Sequence, residues 1–133
     1  MKKKILVLSS TFPRWANDHE PPFVYELSSR LTDQYDVHVL APHISGSKID
    51  EIIQNLTVHR FKYAPERFET LAYNGGISTN LGLHPLRYFL VLPFILAELF
   101  SALRIARKEK IDLIHAHWII PQGLVAIITS ALV

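Results

Sequence analysis

Four consecutive apolar residues, Ile5–Leu8, end abruptly at Ser9, Ser10 and Thr11. A run this short is too brief for a helix and too uniform for a strand with one wet face. It reads as the central strand of a parallel sheet, covered on both sides. Two more segments repeat the pattern. DVHVL, Asp36–Leu40, closes at Ala41, Pro42 and His43, and Ile111–Trp118 (IDLIHAHW) closes before Pro121. Helical spacing lies between them. Pro21 and Pro22 suit a first helical turn, and Phe23, Leu27 and Leu31, with Val24 beside them, recur at helical intervals to about Thr32. Leu56–Tyr63 alternates as a strand with one wetter face.

The expected order is strand, helix, strand, strand, helix, strand, helix. Such alternation predicts an α/β fold, a Rossmann-like, mostly parallel sheet with helices on both faces and right-handed crossovers. No internal repeat or low-complexity tract divides residues 1–133, so a single domain is expected. A domain of 133 residues buries roughly two thirds of its unfolded surface, and the 49% apolar content supports such a core. The last segment, AIITSALV, is apolar with no capping signal, and we expect the chain to be a fragment of a longer protein. We also expect the apolar surface left at that end to promote self-association.

Composition removes several function classes. With no cysteine there is no disulfide scaffold, thiol nucleophile or zinc-thiolate site. A net charge of +2, without basic and aromatic residues interleaved, argues against a nucleic-acid partner. MKKKILVLSS carries too short an apolar run for a secretory signal, which needs about 7–15 such residues, so no export is expected. Neither GxGxxG nor GxxxxGK[ST] is present, and no serine sits in a glycine-flanked elbow.

The residues able to do chemistry fall after strands. In an open parallel sheet, ligands bind beyond the carboxyl ends of the strands, where strand order reverses. Arg14 and Trp15, in the loop after the first strand, offer a cation beside a stacking surface, or a tryptophan that simply packs the loop down. Asn74, Gly75 and Gly76 permit positive φ and close backbone approach. His115 and His117, two apart, share one face of their strand, with His117 nearer its end. The pair suits a ligand hydroxyl or a purely structural role. A metal would need a third ligand, and no carboxylate cluster is nearby, so none is expected. Gln122 and Gly123 follow Pro121 at a helix start, where free amides suit a phosphate or sugar oxygen, or merely begin a helix.

Leu86–Ala106 is apolar almost all round, interrupted by Arg87, Pro93 and Glu98. Its length is near that of a bilayer span, but the charge of Glu98 is costly there. A buried crossover helix is the plain alternative. The favoured expectation is an interfacial helix, because Arg104, Arg107, Lys108 and Lys110 follow it and Arg87 and Tyr88 sit at its start. Anionic membrane is then a partner surface.

SSTFPRW, PPFVYEL, DVHVLAPH, HRFKYAPER and IDLIHAHWIIPQG together resemble the amino-terminal half of retaining glycosyltransferases of family 4, with GT-B architecture. The resemblance spans essentially the whole chain. It implies two Rossmann-like domains facing across a cleft, the amino-terminal one binding a sugar or lipid-linked glycan acceptor. A nucleotide-diphosphate sugar is the donor, bound by a carboxyl-terminal domain; this chain needs no cofactor of its own and is inactive alone. It further implies polysaccharide or lipid-linked glycan synthesis at the cytoplasmic, inner face of the membrane, with the protein peripheral there. The sequence departs from the family where many relatives carry a glycine pair after the first strand; here the loop reads NDHEPPF. No TxHG motif matches either histidine, and the catalytic residues are not assigned. The competing expectations are a non-catalytic α/β membrane-docking or binding module and, less favoured, a metal hydrolase using His115 and His117.

Overall fold

A computed structural model describes residues 1–15, 17–18 and 22–133. The expected start of the first helix at Pro21, and part of the loop after the first strand, lie outside the described residues. Five strands form one sheet in the order β3-β4-β2-β1-β5. They are β1 (Lys3–Leu8), β2 (Tyr35–Pro42), β3 (Asp50–Ile53), β4 (Leu56–Phe61) and β5 (Leu113–Ala116). β1 pairs in parallel with β2 and β5, and β2 with β4; only β3 runs antiparallel, along β4.

Both faces are covered. Helix α1 (Phe23–Leu31) sets Val24 against Ile5, Val7, Val37 and Val39 on one face. Helices α3 (Val91–Glu109) and α4 (Leu124–Leu132) close the other, where Phe94, Ala102, Ile105 and Val125 meet Leu6, Leu8 and Leu40. A short helix, α2 (Ile77–Leu83), and a 3-10 stretch, Pro85–Leu90, lead into α3. The all-apolar run in β1, and the buried Val37, Val39, Leu40 and Ala41 of β2, are thus explained by two covered faces.

Three details differ from the sequence-based expectations. The α1 face that packs inward carries Val24 and Ser28, while Phe23 and Leu27 stay half exposed, so the apolar stripe is rotated from the spacing Phe23, Leu27, Leu31. Strand β3 was not expected. It forms because Gln54 and Asn55, both at positive φ (44° and 69°), make a two-residue hairpin turn that folds Asp50–Ile53 back on Leu56–His59. The apolar segment from Leu86 is a 3-10 stretch followed by α3, and α3 is a crossover helix on one side only. Phe94, Glu98, Ala102, Ile105 and Ala106 face the core. Leu86 (80% exposed), Phe89 (82%), Leu92, Leu96 and Phe100 face outward.

Candidate functional site

From β1 the chain moves outward through β2 to β4, and β5 then returns to the opposite side of β1. The strand order therefore reverses between β1 and β5. That is where a doubly wound sheet leaves a crevice at its carboxyl edge. A cavity of about 260 Å³ lies there, lined by Ser10, Thr11, Gly75, Gly76, Ile77, Ser78, Trp118 and Ile120.

Each wall has a local cause. The Ser9 hydroxyl donates to the Thr11 carbonyl (2.7 Å) and accepts from the Thr11 amide (3.2 Å), turning the chain sharply off β1. Asn74, Gly75 and Gly76 run at φ of 61°, 117° and 88°, a stretch of positive φ that asparagine and glycine tolerate best. A Cβ on Gly75 would lie 3.2 Å from the Thr79 side chain. Buried Asn80 steadies this loop by donating to the carbonyls of Leu71 (2.9 Å) and Tyr73 (2.8 Å). On the third wall β5 ends at Ala116, and positive φ at Trp118 (85°) swings the indole out to the rim, 54% exposed.

The described lining offers three hydroxyls, backbone groups and an indole, and none of the described lining residues is charged. Hydroxyl donors and acceptors beside an aromatic face match the alternating polar edge and apolar face of a sugar ring. A diphosphate would find no counter-charge among them.

The expected site residues divide around this cavity. Gly75 and Gly76 line it, and Asn74 adjoins it. Arg14 does not: its guanidinium (2.8 and 3.0 Å) and backbone N–H (2.8 Å) donate to the Asp18 carboxylate, and it stacks 4.8 Å over Trp15 and lies 5.8 Å from the Tyr73 ring. Trp15 lies over Gly46, where an added Cβ would touch its ring at 3.6 Å. These two residues sit on the β2 side, tied there by buried Arg60, whose guanidinium donates to the Pro13 carbonyl (2.8 Å) and to Glu51 (2.6 Å).

His115 and His117 do share one face, with rings 4.5 Å apart, and His117 meets the Phe23 ring edge-on at 5.9 Å. Burial, and secondarily the neighbouring His115, lowers the pKa of His117. Among the described residues no group of three possible metal ligands surrounds them. The expectation of free amides at Gln122 and Gly123 is corrected. The Gly123 N–H donates to the Trp118 carbonyl (3.0 Å), and Gln122 is fully buried against Glu98. The turn Ile119–Gly123, with a cis Ile120–Pro121 bond, folds Gln122 into the core instead of the mouth. His43, at the end of β2, is a buried clamp, bonded to Glu69 at 2.7 Å and to the Ser47 carbonyl at 3.1 Å. Since a carbonyl only accepts, its Nε2 carries a proton, and burial raises the pKa of Glu69.

Arg87 donates to Asn80 Oδ1 (2.8 Å), and Tyr88 is exposed. Arg104 and Lys108 point into solvent, and Arg107 reaches the Leu132 carbonyl at 3.2 Å.

Residues 22–131 match the family described as Glycosyltransferase Family 4. The chain belongs to glycosyltransferase family 4. Its mostly parallel five-stranded sheet with helices on both faces agrees with the amino-terminal, Rossmann-like half of a GT-B glycosyltransferase. No curated protein matches the sequence. Ser10, Thr11, Ile77, Ser78, Trp118 and Ile120 also line the cavity and were not among the expected site residues. The signal available for Ser10, Thr11, Trp118 and Ile120 was their place after β1 and β5.

Proposed function

We propose that this chain is the acceptor-binding half of a retaining glycosyltransferase that takes a nucleotide-diphosphate sugar as donor. The observation that carries the reading is the cavity at the β1–β5 reversal, whose described lining is hydroxyls and an indole without a charged side chain. Its volume, about 260 Å³, is below the roughly 300–1,000 Å³ of complete small-molecule sites, as suits one half of a cleft. A second Rossmann-like domain supplies the donor site. In the transfer, the bond from the sugar's anomeric carbon to the diphosphate breaks and one to an acceptor hydroxyl forms; the hydroxyl loses its proton and the nucleotide diphosphate leaves.

The acceptor is a growing polysaccharide or a lipid-linked glycan, met at the cytoplasmic face of the membrane with the protein peripheral to it. Support comes from the outward apolar face of Leu86, Phe89, Leu92, Leu96 and Phe100, followed by Arg104, Arg107 and Lys108. The helical stretch Pro85–Glu109 is long and apolar enough to cross a membrane, yet its inner face is committed to the core, which favours lying on the surface.

Amide chemical shifts of the chain titrated with simple glycosides, and separately with UDP- and GDP-sugars, test the acceptor reading. Glycosides are expected to shift Thr11, Gly76 and Trp118, with no saturable response to nucleotide sugars and no turnover. Saturable nucleotide-sugar binding by this chain alone would reject the assignment of acceptor half.

The outward face of α3 also favours a second reading, a docking module without catalysis. It predicts flotation with anionic vesicles and silence of the cavity amides towards every glycoside.

A further inference from the structure

Away from the cavity, the turn Glu66–Phe68, the end of α2 and the 3-10 stretch Pro85–Leu90 enclose a second hollow of about 570 Å³. Its walls are apolar: Phe68, Leu83, Leu86 and Phe89 are all exposed there. Two guanidiniums stand at its edge. Arg67 stacks 4.8 Å over the Phe68 ring, and Arg87 is propped by a single bond to Asn80 Oδ1 at 2.8 Å. Neither forms an ion pair with a carboxylate among the described residues.

That combination is unusual for a plain surface. Asn80 spends both amide hydrogens on the Leu71 and Tyr73 carbonyls, so its oxygen is fixed and the Arg87 guanidinium is aimed in advance. A guanidinium held by one neutral acceptor keeps N–H donors for a tetrahedral anion. Beside it, the stack on Phe68 limits where Arg67 can go. An inorganic anion would use the cations and leave the apolar walls wet; a simple hydrocarbon would use the walls and leave the cations unpaired. A ligand with both parts satisfies both. The apolar wall also runs on, through Phe89, to Leu92 and Leu96 of α3, giving a chain somewhere to lie.

We propose that this hollow seats the head of one membrane lipid, its phosphate between Arg67 and Arg87 and the first carbons of its chain against Phe68, Leu83 and Phe89. The inference rests on the membrane-face reading above and adds to it a single-lipid site. The site lies apart from the cavity at the β1–β5 reversal, with which it shares no described lining residue.

Chemical-shift titration of the chain with hexyl phosphate, inorganic phosphate and hexanol tests it, together with flotation on phosphatidylcholine vesicles with and without phosphatidate. Hexyl phosphate is expected to give saturable shifts at residues 67–70 and 83–90, with either half-ligand binding far more weakly. Arg67→Gln removes one exposed charge and is expected to weaken hexyl phosphate about fivefold, the usual effect of one basic side chain on an anionic lipid. Phe89→Ser, at a position 82% exposed, is expected to weaken it without unfolding the protein. Equal response to inorganic phosphate would reduce the hollow to an anion site, and equal response to hexanol to an apolar groove; either overturns the proposal. If the chain floats on phosphatidate vesicles while hexyl phosphate gives no saturable shift, the lipid site is wrong and the membrane-face reading stands. If hexyl phosphate binds as expected and nothing floats, the head-and-chain hollow stands and the membrane-face reading falls.

Discussion

The Gln122 amide nitrogen lies 3.5 Å from a carboxylate oxygen of Glu98, deep between α3 and the turn that precedes α4. Both side chains are fully buried, and Glu98 Oε1 and Gln122 Oε1 have no partner among the described residues. Burial pushes the Glu98 carboxyl up to about 8, opposed only by the weak bond from Gln122. The unfolded chain therefore releases this proton near 4.5, and the folded protein holds it until about 8. The folded state binds more protons across that window, so stability falls as pH rises through it and levels off above. Glu98→Gln should abolish this slope, raising stability at pH 8 by on the order of 1–3 kcal/mol with little gain at pH 4. Urea unfolding at the two pH values checks it; equal gains at both would show that the carboxyl is not held neutral.

His38 gives the opposite sign. Its Nδ1 lies 3.1 Å from His59 Nε2, and His59 Nδ1 lies 2.9 Å from Asp50. Burial lowers the pKa of His38, with Asp36 and Glu109 pulling upward and His59 and Lys4 pushing down with burial. Here the unfolded chain takes up a proton from about 6.5 downward and the folded protein does so later. Stability is full above 6.5 and is lost as pH falls towards the lowered folded value. His38→Gln should flatten that acid limb, seen as a smaller drop in urea midpoint between pH 7.5 and pH 5. An unchanged drop would assign the acid limb to other groups.

The glycine pair separates backbone strain from site shape. Gly75→Ala places a Cβ 3.2 Å from Thr79 at φ 117°, whereas Gly76→Ala meets nothing within 4 Å at φ 88°. Both should destabilise, Gly76→Ala by about 1 kcal/mol and Gly75→Ala by about 1–3 kcal/mol. Thermal melts rank them; the reverse order would mean that the loop relaxes around Thr79.

How far these features could be read in advance depended on periodicity. β1 was legible because an unbroken apolar run follows directly from cover on both faces, and β2 and β5 because apolar residues flank a single histidine in each. Strand β3 was not, because Asp50 and Glu51 lie on a wet edge and the turn signal is Gln54–Asn55 in place of a glycine pair. The site was half legible. Asn74–Gly76 announced its left-handed turn through composition. Strand alternation, which sets His115 and His117 on one face, would by contrast put Trp118 on the other. Positive φ at Trp118 breaks that alternation two residues past the end of β5, and no local pattern encodes it. The burial of Gln122 is likewise set by the turn Ile119–Gly123 and not by spacing.

Asn80 connects the two hollows. Its amide fixes the Leu71 and Tyr73 carbonyls below the glycine turn, and its oxygen holds Arg87 at the lipid-sized recess. Asn80→Ala removes the side-chain amide that donates to the Leu71 and Tyr73 carbonyls, costing about 1–3 kcal/mol. It should also weaken glycoside response at Gly76 and hexyl phosphate response near Arg87 together, while Arg67→Gln affects only the second. Paired titrations of the two variants check this, and loss of one response alone in Asn80→Ala would show that the sites are held independently.

An apolar strip on the open side of β5 yields the last expectation. Ile119, Ile120, Leu124 and Ile127 surround a shallow hollow of about 580 Å³ and are all exposed, as are Leu132 and Val133 at the chain's end. A contiguous patch of this kind lowers free energy by being covered. β5 adds to the drive, for among the described residues its outer edge pairs with no other strand. Self-association should therefore rise with concentration, visible in sedimentation velocity as a shift from monomer to dimer. Ile127→Glu, a substitution at a 71% exposed position that leaves the core alone, should return the protein to monomer at all concentrations. A monomer at high concentration without that change would mean that the strip is too small or too flat to hold a second chain.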